Sequence, residues 1–425
     1  IALSLLGKTL ALQNRWHDAI AHHQKAVALN PQSAEAHGYL GDALARTGRL
    51  EEALGAFDRA ISLNPQATYA RYAKAIALLA HGRINEGAAE YRYRDHRELF
   101  QENHPAVPIT DDLPDDLMGQ RVCLIGEQGI GDELFFLRYA PRVKARGARI
   151  IYRAHPKIAG ILARSEMIDE VSTQNETLPA ADHLLLVGDL PLALTKLASS
   201  DYQPHRFGDR LPAAATTQAL PLPFAQHLRV FYPEIPAPLP LTPRQELVQK
   251  VAALLKHLGP PPYLGLTWRA GTAHENQRGH VWSLFKQIQP EALAAAVKPV
   301  PATFLALQRR PQSGEITEFS KYLGQPLHDL TDLNDDLEMM LALLALIDDY
   351  IGVSNTNMHL RAGTGRTARV LVPCPAEWRW MAAGEESPWF PGFRIYRQNA
   401  GGDWNGAMKK LRDDLLESPK QGRKP

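Results

Sequence analysis

The N-terminal part of the chain repeats itself with a period of 34 residues. At this offset residues 17–31 align with residues 51–65, so that the closing Asn-Pro of the first segment falls on the Asn-Pro of the second. A third, weaker unit continues the register, with Gly82 following Gly48 at the same offset. Helical units of this length bury their apolar faces mainly against one another. The segment therefore predicts a stacked array of helices.

The period and the residue pattern resemble the tetratricopeptide repeat, in which each unit is a pair of helices. Small residues such as Gly7, Gly41 and Ala53 let paired helices approach closely, and a proline ends the second helix of each unit. We therefore expect tetratricopeptide repeats over residues 1–96. They form either a concave surface that holds a protein partner or a spacer and dimerisation arm. Because the chain starts at Ile1 rather than at a methionine, we also expect further sequence upstream.

Charge and hydropathy exclude several other classes of protein. The 425 residues include 47 Lys and Arg against 46 Asp and Glu. This balance leaves no strong net positive charge that would attract nucleic acid or an anionic membrane. The longest apolar run, residues 339–347, is about half the ~20 residues that a membrane helix needs. Cys123 and Cys374 are too few for a disulfide framework or a four-cysteine zinc site. We expect a multidomain cytoplasmic protein that binds neither nucleic acid nor a membrane.

The remainder of the chain alternates short apolar runs with helical stretches, a pattern that predicts parallel-sheet units. A linker rich in proline and aspartate, residues 97–119, precedes this part, and a proline-rich stretch at residues 220–243 divides it. We therefore expect two doubly wound, Rossmann-like domains at residues 120–244 and 245–418, with a tail at residues 419–425 and a ligand cleft between the domains. The apolar runs expected to be strands are residues 121–127, 148–154, 183–188, 263–268, 303–308, 349–353 and 369–373.

A strand–glycine–helix segment, GEQGIGDELFFLRYAP, opens the first of these domains. Gly126, Gly129 and Gly131 stand in its turn, where the amides of the following helix can face an anion. The glycine spacing differs from the dinucleotide fingerprint GxGxxG, and no Walker lysine follows. Asp132 opens the helix, either as a helix cap or as a general base.

A second polar turn follows the strand predicted at residues 349–353 and leads into another helix. Such a helix N-terminus offers free amides and hydroxyls to a pyrophosphate group, and the alternative is an ordinary capping cluster. The side chains of this turn are Ser354, Asn355, Thr356 and Asn357.

These motifs resemble the family 9 glycosyltransferases, which include the lipopolysaccharide heptosyltransferases, and more closely the bacterial proteins that join tetratricopeptide repeats to such a domain. The resemblance rests on GIGDELFFLRYAP, on the polar turn with His359, and on SPWFPGFRIYRQ further on. It implies a GT-B fold of two facing domains, a nucleotide-sugar donor, and Asp132 as the general base. Ser354 and Asn355 stand where the family commonly has Asp-Thr, whereas His359 matches the family's histidine.

The resemblance also implies where the donor lies. The family places basic and hydroxyl groups against the leaving diphosphate after the strand predicted at residues 263–268, and the guanidinium group suits phosphate geometry. Arg269 and Thr272 lie there, and Arg278, a few residues on, is the alternative to Arg269. The residues that we expect nearest the nucleoside are Gln308, Glu377 and Trp378.

The sequence thus predicts a metal-independent, inverting glycosyltransferase that moves a sugar from a nucleotide-sugar donor to a protein or polysaccharide hydroxyl, without a cofactor. The sequence contains no Asp-x-Asp triplet, and its histidines show no zinc-binding spacing, so no metal site is indicated. Two alternatives stay open at this point. One is a non-catalytic repeat scaffold with a degenerate glycosyltransferase-like domain, and the other is a sugar-nucleotide epimerase on the same fold.

Overall fold

The computed structural model describes residues 2–194, 235–270 and 286–417. Thr272 and Arg278, two of the candidate diphosphate-binding residues, lie outside these described residues. So do the first part of the proline-rich stretch and the tail at residues 419–425.

The N-terminal part is helical, and consecutive helices pack against each other in pairs, as the repeat predicts. A Cβ atom added at Gly41 would lie 2.8 Å from the ring of Phe57, and one at Gly7 would lie 2.6 Å from the ring of His23. The repeat therefore needs glycine where two helices of a pair cross. The helices are α1 (Ala2–Leu12), α2 (Trp16–Leu29), α3 (Ala34–Arg46), α4 (Leu50–Leu63), α5 (Thr68–Ala80), α6 (Ile84–Tyr91) and α7 (Asp95–Asn103).

Helix α7 occupies the start of the segment predicted as a linker over residues 97–119. Two arginines explain this difference, because each ties the helix to the following domain. Arg94, just before α7, and Arg97, within it, both form ion pairs with Asp189, and Arg97 also pairs with Asp111. The irregular part of the connection therefore begins only after Asn103.

The first α/β domain holds a parallel sheet of four strands in the order β3-β2-β1-β4. The apolar runs form strands because they are covered on both faces, as parallel strands usually are. The strands are β1 (Arg121–Ile125), β2 (Arg149–Ala154), β3 (Glu170–Thr173) and β4 (His183–Leu186). The helices described in this domain are α8 (Ile130–Phe136), α9 (Ala140–Ala145), α10 (Pro156–Leu162) and α11 (Leu190–Leu194).

The second α/β domain holds a parallel sheet of six strands in the order β10-β9-β8-β5-β6-β7, which is the doubly wound order of the Rossmann fold. Its strands are β5 (Tyr263–Thr267), β6 (Thr303–Ala306), β7 (Leu327–Asp329), β8 (Asp349–Val353), β9 (Arg369–Val372) and β10 (Arg394–Arg397). Its described helices are α12 (Gln245–Leu258), α13 (Pro290–Val297), α14 (Glu315–Leu323), α15 (Leu337–Leu346), α16 (Thr356–Gly363) and α17 (Asn405–Glu417).

The three parts share one hydrophobic core. Buried side chains from helices α5 and α6, from both sheets and from the aromatic segment after β9 belong to the same cluster. The apolar run at residues 339–347 lies mostly in α15, a buried helix, and no helix in the described residues is long and apolar enough to cross a membrane. The predicted helical repeats followed by two doubly wound domains are confirmed.

Candidate functional site

The candidate site lies where the two α/β domains meet. Ligands of doubly wound sheets bind at the carboxyl ends of the strands where the strand order reverses, which is between β1 and β4 in the first sheet and between β5 and β8 in the second. The turn after β1 faces the helix after β8, since a Cβ added at Gly131 would lie 3.2 Å from Cδ2 of His359. The topology thus brings the two motifs of the sequence together.

The glycine turn after β1 depends on close approach rather than on unusual backbone angles. A Cβ at Gly126 would collide with the buried carboxylate of Glu133, and Gly131 packs against His359 of the other domain. Gly129 precedes helix α8 with an extended backbone, at φ −151°. The left-handed residue of the turn is instead Gln128, at φ 63°. The spacing of the glycines therefore reflects what packs on them.

Asp132 lies in the first turn of α8 and reaches across to the second domain. Its carboxylate forms an ion pair with Arg379, which follows strand β9, and its side chain is 25% exposed. The cap position of α8 is Gly129, so the carboxylate does not serve as the helix cap. The structure thus excludes the capping role and places the Asp132 carboxylate in an ion pair at the contact between the domains.

Arg379 and Lys286 alternate with two carboxylates along this contact. Arg379 donates to Glu377 Oε1 at 2.6 Å, and Lys286 Nζ lies 2.6 Å from Glu377 Oε2. Burial alone would raise the pKa of Glu377, but the two cations outweigh it and hold that pKa well below its usual range. Burial conversely opposes the charge of Arg379, while Asp132 and Glu377 raise its pKa overall. Glu377 and Arg379 are therefore both charged in the free protein.

The polar turn after β8 is partly occupied by its own side chains. Asn355 caps helix α16, because its Oδ1 accepts from the amides of Asn357 at 2.8 Å and Met358 at 3.3 Å. Its Nδ2 group donates to Tyr350 Oη at 2.8 Å. Ser354 donates from Oγ to Glu377 Oε2 at 3.0 Å. In the free protein Asn355 therefore acts as a helix cap, which was the alternative prediction for this turn. An incoming phosphate would compete with the Asn355 side chain for the same amides.

His359 lies in the contact between the domains. It is buried at 7% exposure, and its ring meets those of Phe135 and Phe390 edge-on. Burial, with a smaller contribution from Arg379, lowers the pKa of His359 well below its ordinary value. The imidazole is therefore neutral at pH 7.

Arg269 and Gln308 lie together at the ends of β5 and β6. Gln308 is buried, accepts from the amide of Arg269 at 2.9 Å and donates to the carbonyl of Arg269 at 2.9 Å. The Arg269 guanidinium donates to Glu315 Oε2 at 2.8 Å. In the free protein, Gln308 thus fastens the loop that carries Arg269, and the charge of Arg269 is paired.

Trp378 is a core residue in this structure. It is 5% exposed, and the rings of Phe135, Trp389 and Tyr91 pack around it with centroid distances of 5.1, 5.3 and 6.2 Å. The guanidinium of Arg379 covers the Trp378 ring at 4.7 Å. These neighbours leave no open ring face on which a base could stack.

Sequence reasoning missed Arg379 and Lys286, which form ion pairs with Asp132 and Glu377. Arg379 stands between two tryptophans in the segment EWRW, a signal that favours a guanidinium stacked on aromatic rings. Lys286 carries no such signal, since it belongs to no motif and its partner Glu377 is distant in the chain. In the described ranges, no group of three or more histidine, cysteine, aspartate and glutamate side chains is placed to hold a metal ion.

Comparison with protein families identifies the N-terminal part. Residues 5–68 and 52–95 match the family model of the tetratricopeptide repeat. These matches coincide with helices α1 to α6, so the predicted repeats are confirmed.

Three further comparisons concern the α/β part or most of the chain. The chain is 26% identical over 323 residues to Protein FlbA of Caulobacter vibrioides, a match that covers 71% of this chain and 47% of that protein. The chain thus spans about half the length of this relative.

Two solved structures are similar to this chain. A family 9 glycosyltransferase from Veillonella parvula has a TM-score of 0.47 at 10% identity, covering 72% of this chain and 99% of that chain. ADP-heptose lipopolysaccharide heptosyltransferase II of Escherichia coli has a TM-score of 0.41 at 14% identity, covering 70% and 98%.

Proposed function

We propose that this chain transfers a glycosyl group from a nucleotide-sugar donor to a hydroxyl group of a protein or polysaccharide. The observation that carries the proposal is the ion pair between Asp132 and Arg379, which joins the turn after β1, at the switch point of the first sheet, to the segment after β9 in the second domain. This contact combines a carboxylate that can accept a proton with cations that can neutralise a diphosphate. Transfer of a sugar from a nucleotide diphosphate needs both groups on opposite sides of the reacting carbon.

The donor lies mainly on the second domain. Its diphosphate is held by Arg379 and Lys286 and by the turn that starts helix α16, with Arg269 or Arg278 as a further cation. The side chains that hold it are Ser354, Asn355, Thr356 and Asn357 at the start of the helix and His359 within it. Thr272 adds a hydroxyl group to this site, and Gln308 and Glu377 lie nearest the nucleoside. Charged hydrogen bonds of this kind are roughly twice as strong as neutral ones.

Arrival of the diphosphate also frees the base. In the free protein Arg379 forms ion pairs with Asp132 and Glu377, and Lys286 forms an ion pair with Glu377. A bound diphosphate takes over Arg379, so that the Asp132 carboxylate can accept the proton of the acceptor hydroxyl. The acceptor oxygen attacks the anomeric carbon as the bond to the diphosphate breaks, and the configuration at that carbon is inverted. The cations take up the charge of the leaving group, so the step runs without a metal ion.

A turnover assay with Asp132→Asn tests this assignment. Nucleotide release from a panel of nucleotide sugars is measured with an acceptor lysate, and nucleotide affinity is measured separately. We expect Asp132→Asn to lose about 10²- to 10⁴-fold in turnover, the usual contribution of a general base, while it still binds nucleotide. Asp112→Asn, which changes an exposed aspartate of the linker, serves as the matched control. Equal turnover by Asp132→Asn and the wild type would refute the assignment.

A non-catalytic repeat scaffold is the second candidate function. The self-capped Asn355 and the closed network around Arg379 favour it, because every charge of that network already has a partner in the free protein. A scaffold would give no nucleotide release with any donor, in the wild type as in the variant. The repeats hold a protein partner in either case, as the acceptor or as a further subunit.

A further inference from the structure

The last repeat reaches into the glycine turn after β1 through Arg94. This side chain is 1% exposed and donates from Nε to Glu127 Oε2 at 2.9 Å and from Nη1 to Asp189 Oδ1 at 2.6 Å. The other oxygen of Glu127 accepts from the amide of Gly188 at 2.9 Å. The start of the turn is therefore fixed between the repeats and the end of strand β4.

The next residue of the turn, Gln128, has a left-handed backbone at φ 63°, which a residue with a side chain adopts at a cost. Its side chain is held from the repeats, because Nε2 of Gln128 donates to Tyr91 Oη at 2.9 Å. Four residues further on, Asp132 closes the first turn of α8 with a bond from its amide to the Gly129 carbonyl at 2.8 Å. A hydroxyl group of the last repeat thus supports the strained residue that sets the direction of α8.

The other partner of the ion pair, Arg379, also rests on the last repeat. Its guanidinium lies on the Trp378 ring, and the edge of that ring meets Tyr91. Helix α5 contacts the segment Trp378–Trp380, and the amide of Ala382 donates to the carbonyl of Ala80 at 2.8 Å. Both sides of the Asp132–Arg379 contact therefore depend on the same helical pair.

We propose that the last repeat is part of the candidate active site, and that Tyr91 and Arg94 are positioning residues for the turn that carries Asp132. Without the Tyr91 hydroxyl, Gln128 relaxes from the left-handed conformation and the first turn of α8 changes direction. Because the acceptor proton must lie within hydrogen-bond reach of Asp132, a small displacement slows the chemical step more than it weakens donor binding. The kinetic part of this inference rests on the proposed function, whereas the conformational part does not.

Tyr91→Phe in the full chain is the test, because it removes the hydroxyl and keeps the ring among its aromatic neighbours. Tyr69→Phe is the matched control, since it removes another phenol hydrogen bond of the repeats, that from Tyr69 Oη to Asp42 Oδ2 at 3.2 Å. We expect amide hydrogen exchange in residues 126–136 to quicken about tenfold in Tyr91→Phe and to stay unchanged in the control. We further expect kcat to fall about tenfold while the donor KM changes less than about twofold.

Two results overturn the inference. One is unchanged exchange of residues 126–136 in Tyr91→Phe, and the other is an equal effect of Tyr69→Phe on the same peptide. Gln128→Met breaks the same hydrogen bond from the side of the turn, so it replaces Tyr91→Phe if that variant does not fold and is held to the same expectation. If the wild type shows no turnover, the proposed function fails, while the exchange measurement still decides the positioning role.

Discussion

Replacing Glu133 with glutamine should stabilise the protein above pH 7 and have little effect in acid. Glu133 is 2% exposed, and burial raises its pKa from 4.5 to about 7, although Tyr152 and the amide of His155 donate hydrogen bonds to it. Between these two pH values the folded protein keeps a proton that the unfolded chain has lost. The contribution of the protonated Glu133 to the free energy of unfolding is therefore fully present below pH 4.5 and is lost as the pH rises towards 7.

The size of the effect follows from the two pKa values. A tenfold difference in proton affinity corresponds to about 1.4 kcal/mol, so the change from 4.5 to about 7 corresponds to about 3 kcal/mol. Both donors point to the same oxygen, Oε2, at 2.9 Å from Tyr152 Oη and 3.2 Å from the amide of His155. The carbonyl oxygen of a glutamine can accept both of these bonds, so the variant removes the charge without breaking them.

Urea unfolding at pH 4.5 and pH 8, followed by tryptophan fluorescence, measures this prediction. The free energy of unfolding of Glu133→Gln, relative to the wild type, should be about 3 kcal/mol higher at pH 8 than at pH 4.5. Glu102→Gln changes an exposed glutamate and should show no such difference. A constant difference between variant and wild type at the two pH values would refute the reasoning.

Three other substitutions and one control test interactions around the site by urea unfolding. Arg94→Met should lower the free energy of unfolding by about 3–5 kcal/mol, because buried Glu127 loses its arginine and Asp189 keeps only Arg97, and a loss below about 1 kcal/mol would contradict this. Gly126→Ala should lower the free energy of unfolding by about 1–3 kcal/mol, because its Cβ meets the Glu133 carboxylate. The control Gly55→Ala, in open space on helix α4, should raise the free energy of unfolding by about 0.5–1 kcal/mol. Asn355→Ala should lower the free energy of unfolding by about 1 kcal/mol through loss of the α16 cap. An unchanged free energy of unfolding would show that this cap does not stabilise the protein.

Patterns that are local in the sequence predicted most of the fold. The 34-residue period predicted the helical pairs, and the apolar runs predicted seven of the ten described strands, because burial on both faces leaves a direct mark on composition. Strands β3, β7 and β10 were not predicted, since each has an exposed residue at one end and only one or two buried ones. Helix α7 was missed because its stability comes from ion pairs to Asp189, which is far along the chain. The boundary of the linker was therefore set too early.

The candidate site was predictable only in part, and for a similar reason. The position of Asp132 at a strand–helix turn follows from local sequence, but its partner Arg379 lies 247 residues away, and no local pattern joins them. Trp378 was expected near a nucleoside because it follows a strand, yet an aromatic side chain there can equally fill the core, as it does here. Contacts between domains determine both the partner of Asp132 and the burial of Trp378.

Calorimetric titration of the full chain with UDP, GDP, ADP and CMP tests the central claim most directly, namely that the cations at the contact between the α/β domains bind a nucleotide. We expect one of these nucleotides to bind, and Lys286→Met to weaken its affinity about tenfold or more, as expected for loss of a charged hydrogen bond. Lys256→Met, which changes an exposed lysine of helix α12, should bind as the wild type does. Absence of binding by the wild type to all four nucleotides, or undiminished binding by Lys286→Met, would contradict the account.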